Sequence, residues 1–396
     1  MKKILNSILL IGALAMGVVS CTQDNDVANS SAQPVIKYIR AIESESADSL
    51  IVGGSMGQTI AIIGEGLEGV CDVQFNDRHA MLNPVYVTSE SIICRIPAVM
   101  PEVVDNLLTV STKAGKSCTM DFAVTIPEPT VSSISCEWAP DGTTAIIYGK
   151  SFYAREDGSI DVLFPGNMPA TVNSFDDNQI NVTVPNGTQA GLISVENDYG
   201  KGNSQFTFRD SEGIFIDGEN ATAWNNWGLS AFKNVEPLDG SYVALEGATG
   251  AWAWPANTIQ LFYVNPTASP LVSEGEPSDY ALRFECRSYE WHDTPMLLWF
   301  DNGSPAHGVD SGFAQYHWRP FLTAEDNNFV TDGWVTVTMP LSEFKLSKDE
   351  TETSRSIGSL SELVNFSIMF FGATSTDTTD FDLNLNIDNI RLVKIK

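Results

Sequence analysis

The sequence predicts an all-β chain of three antiparallel sandwiches, two small and one larger, and three observations carry that prediction. Short apolar runs such as Thr59-Ile-Ala-Ile-Ile63 and Ile180-Asn-Val-Thr-Val184 recur between Gly, Asn and Asp, with almost no helical periodicity. The first part of the chain repeats itself once. Eight of the nine tryptophans follow Gly218, so the last part has its own, aromatic-rich composition. Only Thr353 to Val364 fits a short helix.

The chain opens with Lys2 and Lys3, an apolar run from Ile8 to Val19, and Gly17-Val-Val-Ser-Cys21. That run is shorter than the roughly 20 residues of a spanning helix and has the charged start and apolar middle of a signal peptide. Small residues directly before Cys21 resemble a bacterial lipobox. The resemblance implies a signal peptide over residues 1–20 and a lipid on Cys21. Residues 21–33 are small and polar and read as a tether. Asp24 and Asp26 in it resemble the surface-export signal of Bacteroidetes lipoproteins, which implies an outer-membrane protein facing the cell exterior.

The balance of 22 basic against 50 acidic residues gives a formal charge of −28. Such a chain repels phosphate backbones, and no Lys/Arg cluster offsets that, so nucleic acid is excluded as a partner. Neutral ligands remain. Cys71, Cys94, Cys118, Cys136 and Cys286 are odd in number and lack CxxC spacing, which argues against a disulfide framework or a zinc centre. They read as small buried hydrophobes, with a Cys71–Cys94 or Cys94–Cys118 bridge left open.

The repeat runs from Pro34 to Phe208. Its first copy contains Thr59-Ile-Ala-Ile-Ile-Gly64, Ile92-Ile-Cys-Arg-Ile-Pro97 and Gly115; its second contains Thr144-Ala-Ile-Ile-Tyr-Gly149, Ile180-Asn-Val-Thr-Val-Pro185 and Gly200. Alternating apolar strands with Gly at tight turns make a sandwich of immunoglobulin size. The order of these landmarks resembles the IPT/TIG family of immunoglobulin-like domains, here residues 34–126 and 127–208. That resemblance implies spacer or interaction modules. The Pro-bearing joint Thr125-Ile-Pro127-Glu-Pro129 reads as semi-rigid.

Residues 209–396 carry further strand-like runs, including Pro295-Met-Leu-Leu-Trp-Phe300, Trp334-Val-Thr-Val-Thr-Met339 and Phe381 to Ile387. The last run changes phase, from odd apolar positions up to Ile387 to even ones at Ile390 and Leu392. One extra residue near Asp388-Asn389 is therefore expected, a β-bulge. The expected architecture is a larger, jelly-roll-like β-sandwich. Its segments Asp332-Gly-Trp334, Tyr316-His-Trp318-Arg-Pro320 and Asn386-Ile-Asp-Asn-Ile-Arg-Leu392 look like those of carbohydrate-binding sandwiches. With the lipobox and tandem TIG-like domains in front, the layout is similar to the surface glycan-binding proteins (B type) of Bacteroidetes polysaccharide-utilisation loci. That similarity implies capture of a β-glucan or hemicellulose. It also implies partnership with an outer-membrane transporter complex and surface glycosidases of the same locus.

Sugar rings stack their C–H faces on indole or phenol rings, while their hydroxyls need planar donors and acceptors. In Tyr280 to Trp291 a strand places Leu282, Phe284 and Cys286 on one face and Arg283, Glu285, Arg287, Tyr289 and Trp291 on the other. Trp291 and Tyr289 are thus expected on a displayed face. Tyr316 and Trp318 share a face of Gln315–Arg319, as Trp252 and Trp254 do in Ala251-Trp-Ala-Trp254. Arg319 offers a hydrogen-bonding fork and His292 flanks the rings. The bland reading is that sandwich cores also use Trp and Tyr. Trp299 and Trp334 read as structural, and Trp224 and Trp227 as a loop at the domain entrance placed to close over a glycan.

Two rival functions stand beside glycan capture: a glycoside hydrolase or lyase with TIG-like accessory domains, and a structural adhesin. Gly53-Gly-Ser-Met-Gly57 matches a nucleophile elbow as text. An elbow needs a following helix, whereas a strand-like run follows here, so a hairpin turn is expected. No HExxH occurs and the sequence implies no cofactor or catalytic metal, with a structural calcium on Asp217, Glu219 or Asp388 left open. The reading is of a non-catalytic binding protein.

Overall fold

The computed structural model describes residues 32–42, 49–219, 224–225, 230–249, 260–292, 294–303, 312–347, 355–370 and 381–396. Cys21, Trp227, Trp252 and Trp254 lie outside them. The chain is all-β, as its alternation predicts, and divides into two compact units between Ile126 and Pro127.

The first unit packs a sheet built on Val35–Ala41, Thr59–Glu65 and Ser91–Arg95 against one built on Val70–Phe75, Leu107–Thr112 and Ser117–Asp121. Ile39, Ile60, Ile62, Val73, Phe75 and Val110 fill the space between. Ser55 ends a short strand and Gln58 N–H closes a turn onto its carbonyl at 3.0 Å, with the Thr59 strand directly after. The GxSxG text is therefore a tight turn followed by a strand, not an elbow. It is not a hairpin, because Gly53–Ser55 pairs in parallel with Ala123–Thr125 while Thr59–Glu65 belongs to another sheet.

The repeat survives in atomic detail. In the first copy the pairing of Val35–Ala41 with Thr59–Glu65 shifts between Ile36 and Tyr38; in the second, Thr130–Ile134 shifts against Thr144–Lys150 between Val131 and Ser133. At the shift each first strand crosses a glycine closely. A Cβ on Gly64 would lie 2.0 Å from the Val35 carbonyl oxygen, and one on Gly149 1.9 Å from that of Thr130. Gly is thus required at both places for the close approach of another backbone.

Among the described residues Cys71, Cys94, Cys118, Cys136 and Cys286 are free thiols, so neither bridge left open is formed. Burial pushes Cys94 up to about 12 and raises Cys286 as well, which marks them as inert core residues.

The second unit holds the second small sandwich and the larger one. The larger has a six-stranded sheet, in the order Ser230–Lys233, Tyr242–Thr249, Phe381–Lys394, Tyr280–Trp291, Val335–Pro340, with Ile214–Ile216 also pairing Phe381–Lys394. Opposite lies a five-stranded sheet in the order Trp224–Asn225, Gln260–Tyr263, Asn365–Phe370, Met296–Asp301, Gln315–Trp318. Leu282, Phe284, Cys286, Leu298, Phe300, Phe366, Ile368 and Leu385 meet in the core between the two sheets. The expected bulge is present: Arg283 pairs with Arg391 and Glu285 with Asp388, so the 381–394 strand carries one extra residue, and Asn389 sits at φ 51°. Within the described part of Thr353–Val364 the expected helix is only a 3-10 turn, Leu360–Glu362.

The outer face of the six-stranded sheet is covered by the second small sandwich. Leu238, Tyr242, Ala244 and Trp334 join the same apolar cluster as Ile134, Ile147, Val182 and Val195. Beside this apolar seam lies a charged one. Glu137 accepts from Arg283 Nη1 at 2.8 Å and from Arg391 Nη2 at 2.9 Å, while Arg391 also reaches Glu285 at 2.7 and 2.9 Å. Arg391 and Glu285 are fully buried. Burial pushes the Glu285 carboxyl above its usual range, and the Arg391 guanidinium opposes that shift.

Asp388 is buried nearby. Its Oδ1 accepts from Asn389 N–H at 2.9 Å, and its Oδ2 has no hydrogen-bond partner. Burial, reinforced by the charges of Glu219 and Glu285, pushes its carboxyl up to about 8. Below its ordinary value, roughly 3.9, the group is protonated folded or unfolded. Between there and about 8 the folded protein holds a proton that the unfolded chain releases, so stability falls as pH rises through that window. Asp388→Asn is expected to raise the melting temperature at pH 8 and to leave it almost unchanged near pH 4. Thermal melts at the two pH values test this, and a lowered melting point at pH 8 would contradict it.

Candidate functional site

The strands of the five-stranded sheet have two apolar faces. Met296, Leu298 and Phe300 point into the core, and Leu297 and Trp299 alternate with them on the outer face. The ladder extends this outer face across neighbouring strands. Trp299 pairs with Ser367 on one side and Gln315 on the other, and Leu297 pairs with Met369 and His317. Ser367 in turn pairs with Phe262. Directly opposite side chains lie about 4.5–5.5 Å apart at Cβ, so these residues form one patch.

Leu297, Trp299 and Met369 are buried as a cluster separate from the core, with Phe262 and Phe313 packed on it and partly exposed. The Phe262 and Trp299 rings meet edge-on, centroids 6.4 Å apart. At one end Asn365 Nδ2 donates to Asp301 Oδ1 at 2.7 Å and Gly303 N–H to the same atom at 2.8 Å, which fixes the strand ends.

Among the described residues, three buried polar atoms of this patch have no hydrogen-bond partner: Trp299 Nε1, His317 Nδ1 and Ser367 Oγ. His317 Nε2 lies 3.1 Å from Gln315 Oε1. With that oxygen accepting, the proton sits on Nε2 and Nδ1 is left a bare acceptor. Burial, helped by the Arg319 charge, pulls His317 down to about 4, so the ring is neutral at ordinary pH. The patch therefore combines the partly exposed rings of Phe262 and Phe313 with buried aromatic and aliphatic side chains, a donor, an acceptor and a hydroxyl that can be either. Unpaired buried polar groups cost about 1–3 kcal/mol each, and a hydroxyl-rich ligand is one way to satisfy them.

The residues expected to form a platform are distributed differently. Trp291 is fully buried: its Nε1 donates to the Thr294 carbonyl at 2.8 Å, and its ring centroid lies 5.0 Å from Trp318 and 5.4 Å from Phe370. The expectation that it is displayed is corrected by a second bulge. Ser288 pairs with Leu385 but Glu290 with Asn384, so Tyr289 is an extra residue and the side-chain phase flips after it. Tyr289 is 41% exposed, on the six-stranded sheet, with the Arg287 guanidinium 4.8 Å above its ring. Glu285, expected on the displayed face, is instead buried against the neighbouring sandwich.

Tyr316 and Trp318 lie on the core side of an edge strand, half-buried, the first against Phe344 at 5.6 Å and the second against Phe284 at 5.6 Å. Arg319 follows them, half-buried, and His292 Nε2 is 3.8 Å from the Glu290 carboxylate. Trp291 and Trp318 are thus brought together as core, while Tyr289 stands on the other sheet. Trp334, read as structural, is in the seam between sandwiches. Trp299, also read as structural, lies on the outer patch.

The comparisons place this architecture. Residues 208–394 match the family model described as the surface glycan-binding protein B xyloglucan binding domain, and residues 129–209 match the IPT/TIG domain. The C-terminal part of the chain, residues 208–394, is thus similar to the surface glycan-binding protein B domain. An IPT/TIG domain-containing protein from Bacteroides ovatus is 30% identical over 210 residues, 48% of this chain and 42% of that protein, so the match spans under half of that relative's length. The crystal structure of the surface glycan-binding protein PbSGBP-B from Prevotella bryantii aligns over 93% of this chain and all of that one, with a TM-score of 0.72 and 23% identity. A protein B from a complex xyloglucan utilization locus of Bacteroides uniformis aligns over 92% of this chain and all of its own, at 20% identity and a TM-score of 0.48. At 23% identity the Prevotella bryantii structure attests the fold alone.

Sequence reasoning missed Trp299, Phe262, Phe313 and Ser367 as site residues. One signal was available: Met296 to Phe300 is apolar at every position, so both faces of that strand had to be covered or used.

Proposed function

We propose that this protein captures a neutral β-glucan on the outer face of the five-stranded sheet of its protein B domain. One observation carries the reading: three buried polar atoms without partners share a single patch with Trp299 and Phe262. Phe262 and Phe313 offer ring surface to sugar C–H groups, and Trp299 Nε1, His317 Nδ1 and Ser367 Oγ meet hydroxyls. The family's description makes xyloglucan the first ligand to try. Individual contacts of this kind contribute roughly 0.5–1.5 kcal/mol. Single-site affinities of about micromolar to millimolar follow, and many copies on one polymer retain it by avidity.

In this reading the protein is non-catalytic. It is held to the outer membrane by a lipid on Cys21, faces the exterior, and passes glycan to a transporter complex and surface glycosidases of its own locus. The lipobox-like Ser20-Cys21 and the tandem small sandwiches support that placement.

Trp299→Phe keeps a ring and removes the unpartnered N–H, so it separates binding from folding. Titration calorimetry with a xylogluco-oligosaccharide is expected to show affinity lowered about three- to tenfold in Trp299→Phe, and similarly in His317→Ala and Ser367→Ala. The melting point of Trp299→Phe should stay close to that of the parent. Unchanged affinity in all three variants would sink the proposed face.

A further inference from the structure

A second feature of the molecule lies away from that face. Where the second small sandwich meets the larger one, a cleft of about 1140 Å³ opens between them. Its walls are two strands that each end their sheet, Thr130–Ile134 and Val335–Pro340. They are tied at one point: Thr336 N–H donates to the Ser135 carbonyl at 2.9 Å, and Thr336 Oγ1 accepts from Glu137 N–H at 2.7 Å. Both walls belong to one compact unit joined by a shared apolar cluster and the Glu137–Arg391–Glu285 network, so the cleft is part of the folded architecture.

The chemistry of the lining narrows what fits. Ser133, Tyr148, Gln205 and Thr338 present hydroxyl, phenol and amide groups, and Leu271 and Val272 supply an apolar strip. The carboxylates Asp210, Glu212 and Glu274 line it too, whereas Arg283 is committed to Glu137 and the other lining cation is the exposed Lys394. An anion is repelled there. The space exceeds the roughly 300–1,000 Å³ of ordinary small-molecule sites, which favours an oligomer over a single ring.

We infer that this cleft is a second carbohydrate-binding site, taking a short neutral oligosaccharide independently of the sheet face. The inference rests on glycan capture as the function of the chain, but not on the location of the first site. Tyr148 stands on the outer face of its sheet beside Ser133, its direct ladder partner, and offers a ring beside a hydroxyl. Gln205 is exposed and gives both a donor and an acceptor.

Titration of the whole chain with a cello-oligosaccharide and a xylogluco-oligosaccharide tests this. Two binding events per chain are expected with at least one of these probes. Tyr148→Ala and Gln205→Ala should each weaken one event about tenfold and leave the other unchanged, and Trp299→Phe should do the reverse. Gln205 makes few demands on folding, so its variant keeps the test valid if Tyr148→Ala unfolds. A single event in the parent chain overturns the cleft site, and leaves the face reading standing if Trp299→Phe weakens that event. Two events that neither cleft variant alters overturn it as well.

Discussion

Replacing Glu137 by Ala is expected to destabilise the second unit by about 3–5 kcal/mol, the usual cost of removing one partner from a buried ion pair. Glu137 has 6% of its side chain exposed and holds two guanidinium groups, Arg283 and Arg391. The four charges of the network cancel with Glu285 included. Without Glu137 the fully buried Arg391 keeps Glu285 as its one carboxylate, and Arg283 loses its own, leaving one uncompensated positive charge between two sandwiches. Glu137→Gln keeps an acceptor and should lose less.

The two sandwiches share one apolar cluster and one ion network, which predicts that they unfold as one. Tyr242, Ala244 and Trp334 sit in the neighbour's apolar cluster, with Tyr242 and Trp334 rings 5.4 Å apart. A fragment cut to 209–396 would expose that surface along with Arg391 and Glu285. Denaturant unfolding of 127–396 and of its Glu137→Ala form measures the prediction, as a shift in midpoint with a single transition. Separate transitions for the two sandwiches, or a midpoint unmoved by Glu137→Ala, would show that the seam is only a contact between independent domains.

Much of this fold was legible in sequence because its cues are local. Gly64 and Gly149 mark the same backbone crossing in both copies of the repeat, and no other residue type fits. The bulge at Asn389 was legible because apolar residues on both sides of it, up to Ile387 and from Ile390, state their phase. The bulge at Tyr289 gave the same kind of signal more weakly. Leu282, Phe284 and Cys286 set an even phase and only Trp291 departs from it, so an extra residue and a displayed tryptophan are equally compatible with the text. Burial decides between them, and burial depends on strands far away in sequence.

The charged seam was illegible for a related reason. Glu137, Glu285 and Arg391 are 254 residues apart at the extremes, and each alone reads as a solvated strand residue. The outer patch was missed because a uniformly apolar run such as Met296 to Phe300 reads as core on both sides.

Trp291 gives the clearest test of that lesson. Trp291→Ala is expected to cost about 3–5 kcal/mol, since it empties the largest side chain of a packed core. Four rings besides its own border the hole: Trp318, Phe321, Phe329 and Phe370, all with centroids within 6.0 Å. The Thr294 carbonyl also loses its indole donor. Trp291→Phe retains most of the apolar volume and forfeits chiefly that hydrogen bond, a net of about 0.5–1.5 kcal/mol. Affinity for glycan, measured well below the melting point of each variant, should stay within about twofold of the parent, because the ring faces the core and not the outer patch. A displayed stacking platform predicts the opposite pattern: stability held and affinity lost. Unfolding curves and titrations on the same preparations therefore separate the two roles of this residue, and only the first pattern agrees with a strand whose phase is reversed at Tyr289.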